Sequence, residues 1–338
     1  MSKEYTYKDS GVDLGHAETS TEKIARLAKS TFSKNVLTEI GSFGGIYKPP
    51  GMEGHVLVSS VDGVGTKIMI AADMNRYKTI GQDLVNHCVN DIAVMGAMPL
   101  FFLDYIGFAD LSPDNIAEVV EGLTVACRKN NLSLIGGETA QMPGVYPEKQ
   151  FDLVGAIVGV VAKNSIIDGI DIKPGDKIIA FPSSGLHTNG YSLARKVFED
   201  DSWEDEIQGE KLGDMLLEIH RSYIREIGKI SESIKIKGIA HITGGGIKGN
   251  LKRILPDDVS AIIRKDSIPK PKIFDIILKS GVAEEEMYNV FNMGFGMLVI
   301  IDSKDAENSI KVVESIGKTA FVCGEIVENE ADKVILKS

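Results

Sequence analysis

The stretch HVLVSSVDGVGTK (residues 55–67) begins with apolar side chains alternating with others, the period of a strand. It then runs straight into the glycine-rich Asp62-Gly63-Val64-Gly65-Thr66-Lys67. Outward from this point, strands and helices alternate. Gln82–Met95 is apolar at helical spacing and Pro99–Ile106 reads as a strand. Ser112-Pro113 opens a helix to about Lys129, with Ser112 as its cap. Leu132–Ile135 and Leu153–Val161 are apolar strands separated by a long polar loop, Gly136–Gln150. Residues 1–40 are polar and read as a mobile arm followed by a short helix around Glu22–Lys29. The class is α/β or α+β.

Near Lys163–Gly175 the pattern resets, with turn signals at Asp168-Gly169 and Pro174-Gly175. Lys177–Phe181 starts a second run of strands, with helices at Ser192–Phe198 and Asp214–Lys229 and further strands at Ile239–Ile242, Ser260–Ile263, Met297–Ile301 and Phe321–Val327. A chain of 338 residues exceeds what one core usually serves. Two domains are therefore expected, residues 1–168 and 169–338.

The formal net charge is −11 and the basic residues are dispersed, which argues against nucleic acid and anionic membranes as partners. Cys88, Cys127 and Cys323 form no CxxC pair, so buried packing in a reducing cytoplasm is the expectation. The N-terminus lacks the apolar run of a signal peptide, and no segment is long enough to span a bilayer. A soluble, cytoplasmic protein is expected.

Several segments could carry chemistry. In the 62–67 turn, glycines allow close approach of a bulky anion, Lys67 supplies a point charge and Asp62 can hold a divalent cation. The alternative is a plain turn with a solvated lysine. Asn90-Asp91 interrupts an apolar helix, where a carboxylate is costly to bury unless it meets a cation. Asp62 and Asp91 converging on magnesium make a stronger case than either alone. Gly136-Gly137-Glu138-Thr139 after a strand suits a nucleotide phosphate or its metal, or is only a turn. Ser183–Ser192 (SSGLHTNGYS) gathers hydroxyls, the His187 imidazole and the Asn189 amide before a helix. It can bind a phosphate or amide, or simply cap that helix.

His241–Asn250 (HITGGGIKGN) contains a GxGxxG at Gly244, Gly246 and Gly249, the best argument for a dinucleotide-binding oxidoreductase. Pro256 shortens the helix that follows, and an anion-binding loop explains the same glycines. His16, His55 and His220 have no polar company in sequence and read as structural or surface residues. His87, one turn from Asp91, is ambiguous. No GxSxG or HExxH is present.

In order along the chain, YKDSGVDL, SSVDGVGTK, IGQDLVNHCVNDIAVMGAMPLFFLDYIG, LIGGETAQMPGVYP, SSGLHTNGYSL, AHITGGG, GNLKRILPD and EEEMYNVFNMGFGM together resemble the aminoimidazole ribonucleotide synthetase family. The resemblance implies two α/β domains per subunit, with N-terminal sheets of two subunits joined into a barrel across a homodimer. It implies ATP-dependent closure of formylglycinamidine ribonucleotide to aminoimidazole ribonucleotide, through a phosphorylated amide. ATP and Mg2+ are the implied cofactors. By the same resemblance Asp62, Asp91 and Glu138 are metal or phosphate-side ligands and Lys67 is a phosphate contact. Gly44, Gly45, Gly63, Thr66, Gly136, Gly137 and Thr139 line the nucleotide. His187, Asn189, His241, Gly244, Gly245 and Gly246 bind the ribonucleotide, with Asp62, Lys67, Asp91 and His187 catalytic.

Relatives carry a lysine in the N-terminal segment where this chain has Ala25, flanked by Lys23 and Arg26; either could substitute. Gly15-His16-Ala17 also departs from the family pattern. The competing readings are a sister ATP-dependent enzyme and a non-catalytic nucleotide-binding paralogue. Selenophosphate synthetase is disfavoured because no cysteine precedes Cys88, and the hydrogenase maturation protein because none sits at the C-terminus.

Overall fold

The computed structural model describes residues 5–12 and 23–338. His16 and its neighbours lie outside them. A short helix over 23–29 (α1) places Lys23 and Arg26 on the surface. The N-terminal half then runs β1 (Gly45–Tyr47), β2 (His55–Gly63), α2 (Lys67–Asp73), α3 (Lys78–Ala93), β3 (Met98–Phe108), α4 (Pro113–Lys129), β4 (Ser133–Gln141) and β5 (Phe151–Ala162). Its sheet has the order β1-β2-β5-β3-β4, antiparallel except for the parallel pair β3–β4.

Ser112 caps α4 as its position before Pro113 predicts, its hydroxyl accepting from the Asn115 N–H at 3.1 Å. β4 differs from expectation. The strand runs through Gly136–Thr139 instead of ending before it, because that segment pairs with Leu103–Ile106 of β3. A Cβ at Gly137 would meet Asp104 Oδ1 at 2.4 Å, so the close approach to β3 demands glycine there.

The faces of this sheet differ. Along β5, Phe151, Leu153, Ile157 and Val161 are buried while Val154, Ala156, Val158 and Val160 stay partly open. The buried face lies under α3: a Cβ at Gly155 would point at Leu84, and one at Gly159 at Ile92. The other face carries exposed apolar side chains, with Val61 65% and Leu103 37% exposed.

The C-terminal half runs β6 (Lys177–Pro182), α5 (Tyr191–Val197), β7 (Glu206–Ile207), β8 (Glu210–Lys211), α6 (Leu212–Leu216), α7 (Ile224–Ser231), β9 (Ile236–His241), α8 (Gly246–Leu251), β10 (Val259–Arg264), α9 (Lys272–Lys279), α10 (Glu284–Val290), β11 (Phe295–Ile301), α11 (Ala306–Glu314), β12 (Phe321–Glu328) and β13 (Val334–Lys337). Its main sheet has the order β13-β10-β12-β6-β11-β9. The one helix expected over Asp214–Lys229 is two, α6 and α7, split by a non-helical stretch at 217–223. The N-terminal residues reach this half: Tyr5 bridges to Val282, and the Tyr7 N–H donates to Glu286 Oε1 at 2.6 Å. No helix of the described residues is long and apolar enough to cross a membrane.

Candidate active site

The site grows from one stripe of α3. Asp83, Asn86, His87, Asn90 and Asp91 recur at three- and four-residue spacing on a helix buried almost throughout. Polar groups in that position need partners, and the stretch 217–223 supplies them. Asp83 Oδ1 accepts from the His220 N–H at 2.7 Å, the Asn86 amide donates to His220 O at 2.7 Å, and Asn90 Oδ1 accepts from the Tyr223 N–H at 2.9 Å. The second half of the chain is thus held to the first by its own backbone.

His87 joins the two carboxylates. Its Nε2 lies 2.9 Å from Asp62 Oδ2 and 3.6 Å from Asp91 Oδ2, and its Nδ1 lies 2.7 Å from Thr188 Oγ1. Burial works to lower its pKa, but the Asp62 and Asp91 charges outweigh this and push it up to about 9. Asp62 feels burial upward, yet the His87 charge holds its carboxyl below the usual range. The Asp62 side chain is 40% exposed, so the pair opens to solvent.

His241 Nδ1 lies 2.8 Å from Asp91 Oδ1, and its Nε2 lies 3.1 Å from His220 Nε2. His187 stacks on His220 with centroids 4.1 Å apart. Burial holds His187 and His220 well below the ordinary histidine range, and lowers His241 against the pull of Asp91.

Sequence reasoning therefore brings Asp62, Asp91, His187 and His241 into one cluster but misses His220, which lies buried at its centre. Its signal was the polar stripe of α3, which required a polar segment opposite. His55, by contrast, is exposed as expected.

Lys67 departs from expectation. Its ammonium is fully buried, 2.8 Å from Asp83 Oδ2, and donates to the carbonyls of Glu218 at 2.6 Å and His187 at 3.2 Å. With its donors turned inward it offers no point charge to a phosphate. Glu138 departs too. Asp62 is registered with Gly155, on the face under α3, whereas Glu138 is registered with Tyr105 and so with Val154, on the open face. Three strand spacings, about 14 Å, separate it from β2. Within one chain it cannot share an ion with Asp62 and Asp91.

His187 and His241 are buried at 1% and 0% exposure, so neither can touch a ligand in this conformation. Asn189, Gly244 and Gly245 are partly open, and a Cβ at Gly244 would meet Asn189 Oδ1 at 3.2 Å. Gly44 packs on Ser59, Ser60 Oγ donates to Phe43 O at 3.1 Å, and the same hydroxyl is 3.5 Å from Asp91 Oδ2. Phe32, Val36, the segment 38–47 and Ser59–Val61 line an open cleft of about 480 Å³, which reaches along β2 as far as Val61, the residue before Asp62.

Comparison with known proteins places both halves of the chain in known domain families. Residues 44–161 match the N-terminal domain of the AIR synthase related proteins, and residues 173–337 match their C-terminal domain. The solved structures it resembles include a thiamine-monophosphate kinase from Stenotrophomonas maltophilia, with TM-score 0.63, 17% identity, and 92% of this chain and 93% of that one covered. Another is the hydrogenase maturation protein HypE in complex with ATP, with TM-score 0.62, 17% identity, and 86% and 83% covered. Such likenesses show the fold. Curated relatives are much nearer. The phosphoribosylformylglycinamidine cyclo-ligase of Myxococcus xanthus is 45% identical over 98% of this chain and 99% of its own, and that of Clostridium novyi is 44% identical over 95% and 96%. At that identity over nearly the full length, the chain belongs to the phosphoribosylformylglycinamidine cyclo-ligase family, ligases of purine biosynthesis.

Proposed function

We propose that the cleft beside Asp62 takes ATP, and that its phosphoryl group is transferred to the amide oxygen of formylglycinamidine ribonucleotide. The amidine nitrogen then attacks the activated carbon, the imidazole ring closes, and phosphate leaves. An amide oxygen is a poor leaving group and its phosphate ester a good one. Positioning and charge neutralisation supply most of the rate in such transfers. The observation that carries this reading is the pairing of Asp62 and Asp91 about one imidazole, with Ser60 Oγ 3.5 Å from Asp91 Oδ2 and itself lining a ligand-sized cleft.

The two carboxylates suit a divalent cation, which when bound neutralises charge on the phosphate. Gly44, Gly45, Gly63 and Thr66 border the nucleotide. Asn189, Gly244 and Gly245 form the lip that meets the ribonucleotide, while Gly246, expected in the same role, is buried behind it against Tyr288. His187 and His241, buried beneath that lip, fix its shape. Lys67 holds the His187 carbonyl instead of a phosphate.

The open apolar sheet face packs against the same face of a second copy, joining the two sheets into a barrel. The half-open valines of β5 and the exposure of Val61 support this homodimer. Gly136–Thr139 sits on the edge strand of that sheet, so any role of Glu138 depends on the partner. Domain limits of 1–168 and 169–338 fit the two sheets, which end and begin at Ala162 and Lys177.

The test is an assay with purified protein. ADP and phosphate are expected one-to-one with aminoimidazole ribonucleotide, and only when formylglycinamidine ribonucleotide is present. Turnover with selenide or thiamine monophosphate in its place would overturn the assignment.

A further inference from the structure

The cleft assigned to ATP lacks a cation of its own. Among the described residues that line it there is no lysine or arginine, and Glu39 adds a negative charge. Lys67, the cation next in sequence, is turned inward to Asp83. A triphosphate brings several negative charges, and catalysis of its transfer rests on neutralising them. A side chain from elsewhere in the fold has to supply the missing charge.

One such side chain stands at the edge of the cleft and comes from the second half of the chain. Arg253 lies just past α8, its N–H donating to Asn250 O at 3.2 Å. Its guanidinium carbon sits over the Phe43 ring, 5.0 Å from the centroid, and Phe43 lines the cleft. Arg253 also borders a small cavity of about 120 Å³ that shares Thr38, Ser42, Phe43 and Ile46 with the cleft. Partial desolvation works to lower its pKa and the Asp91 charge to raise it, so the guanidinium stands within electrostatic reach of that carboxylate. Ser60 links the same two residues: its hydroxyl donates to Phe43 O at 3.1 Å and lies 3.5 Å from Asp91 Oδ2.

The guanidinium's donors are free. The Arg253 side chain is exposed, and no described residue accepts a hydrogen bond or ion pair from it. A guanidinium over a ring face keeps its N–H edge open to in-plane acceptors, and its fork fits two oxygens of one phosphate.

We propose that Arg253 binds the phosphoryl group that ATP transfers, across from the Asp62 and Asp91 carboxylates. The inference rests on the proposed ATP cleft and adds its cation. Phe43 and Asp91, the two residues that place the guanidinium, both belong to the ATP side of the site, which assigns Arg253 to that phosphate and not to the ribonucleotide's own. In the transfer, the amide oxygen gives an electron pair to phosphorus and the bond from phosphorus to the ADP oxygen breaks, its pair staying on ADP. Arg253 neither gives nor takes a proton; it offsets the charge on the phosphoryl oxygens throughout.

The experiment uses the full chain with Arg253→Met and Arg253→Lys. ATP and ADP are titrated by calorimetry in Mg2+ without ribonucleotide, and ring closure is then measured. Arg253→Met is expected to weaken ATP at least about tenfold and ADP, which lacks the transferred group, less than about twofold. Its kcat is expected to fall about a hundredfold or more, with KM for the ribonucleotide unchanged. Arg253→Lys keeps the charge without the fork and is expected to lie between wild type and Arg253→Met. Equal losses for ATP and ADP, or an unchanged kcat in folded Arg253→Met, would overturn the proposal. A raised KM for the ribonucleotide at unchanged ATP affinity would also overturn it and give the guanidinium to the ribonucleotide phosphate. Should Arg253→Met fail to fold, Arg253→Lys decides on the same measurements. Ring closure by wild type, with ATP affinity kept in both variants, would remove this contact and leave the proposed function. A wild-type protein that binds neither nucleotide would remove both.

Discussion

Lys67 Nζ and Asp83 Oδ2 lie 2.8 Å apart with neither side chain exposed to solvent. Burial lowers the lysine's pKa against the pull of Asp83, and burial raises the Asp83 carboxyl to about 6 in spite of the ammonium. The pair joins α2 to α3, and through the carbonyls of His187 and Glu218 it ties both to the second half of the chain. Removing one partner leaves the other charge buried and alone. Lys67→Met is expected to destabilise by about 3–5 kcal/mol, and the double change Lys67→Met with Asp83→Leu by clearly less. Urea unfolding of the three proteins checks this. Equal loss in the single and double variants would show that the pair is not coupled.

Asp62→Asn and Asp91→Asn should each abolish measurable turnover while leaving the circular dichroism unchanged. Each removes a charge that neutralises the transferring phosphate, worth at least ~3 kcal/mol in the transition state. Near-normal rates at saturating ATP and metal would contradict that role.

His87 gives the metal-free protein a pH-dependent term. Its pKa rises from 6.5 to about 9 on folding, so the folded state holds the proton more tightly. The stabilisation is complete below about pH 6.5 and is lost as pH climbs through about 9, at most about 3 kcal/mol in all. Thermal melts in EDTA across this window should show wild type falling relative to His87→Gln. Parallel curves would refute the charge assignment.

Gly245 has φ of +88°, in the region that favours glycine, and lies on the proposed ribonucleotide lip. Gly245→Val is expected to raise KM for the ribonucleotide more than KM for ATP. Calorimetry with NAD or NADP should show no binding. Micromolar dinucleotide affinity that the valine removes would revive the oxidoreductase reading of this loop.

If the open sheet face is the dimer contact, Val61→Lys should shift sedimentation from dimer to monomer. A charge placed on the apolar face opposes its burial against another copy. An unchanged dimer would move the contact elsewhere.

Local chemistry was legible and long-range chemistry was not. The start of α4 could be read because Ser112 and Pro113 are neighbours in sequence. The stripe on α3 was visible as Asn90-Asp91 in an apolar run. The break at 217–223 was hidden, because partners more than a hundred residues away, Asp83, Asn86 and Asn90, hold that backbone out of a helix. His220, inside the break, was invisible for the same reason. Glu138 follows glycines just as a phosphate-side acid would. Only the strand register shows that it faces away from Asp62.

The tie between Tyr7 and Glu286 spans 279 positions of sequence. A contact of such length cannot form until nearly the whole chain has left the ribosome, and closing so large a loop is entropically late. The N-terminal sheet, complete by Ala162, can assemble long before. Residues 5–12 are therefore expected to dock last during synthesis, and their amides to exchange with solvent sooner than those of α3.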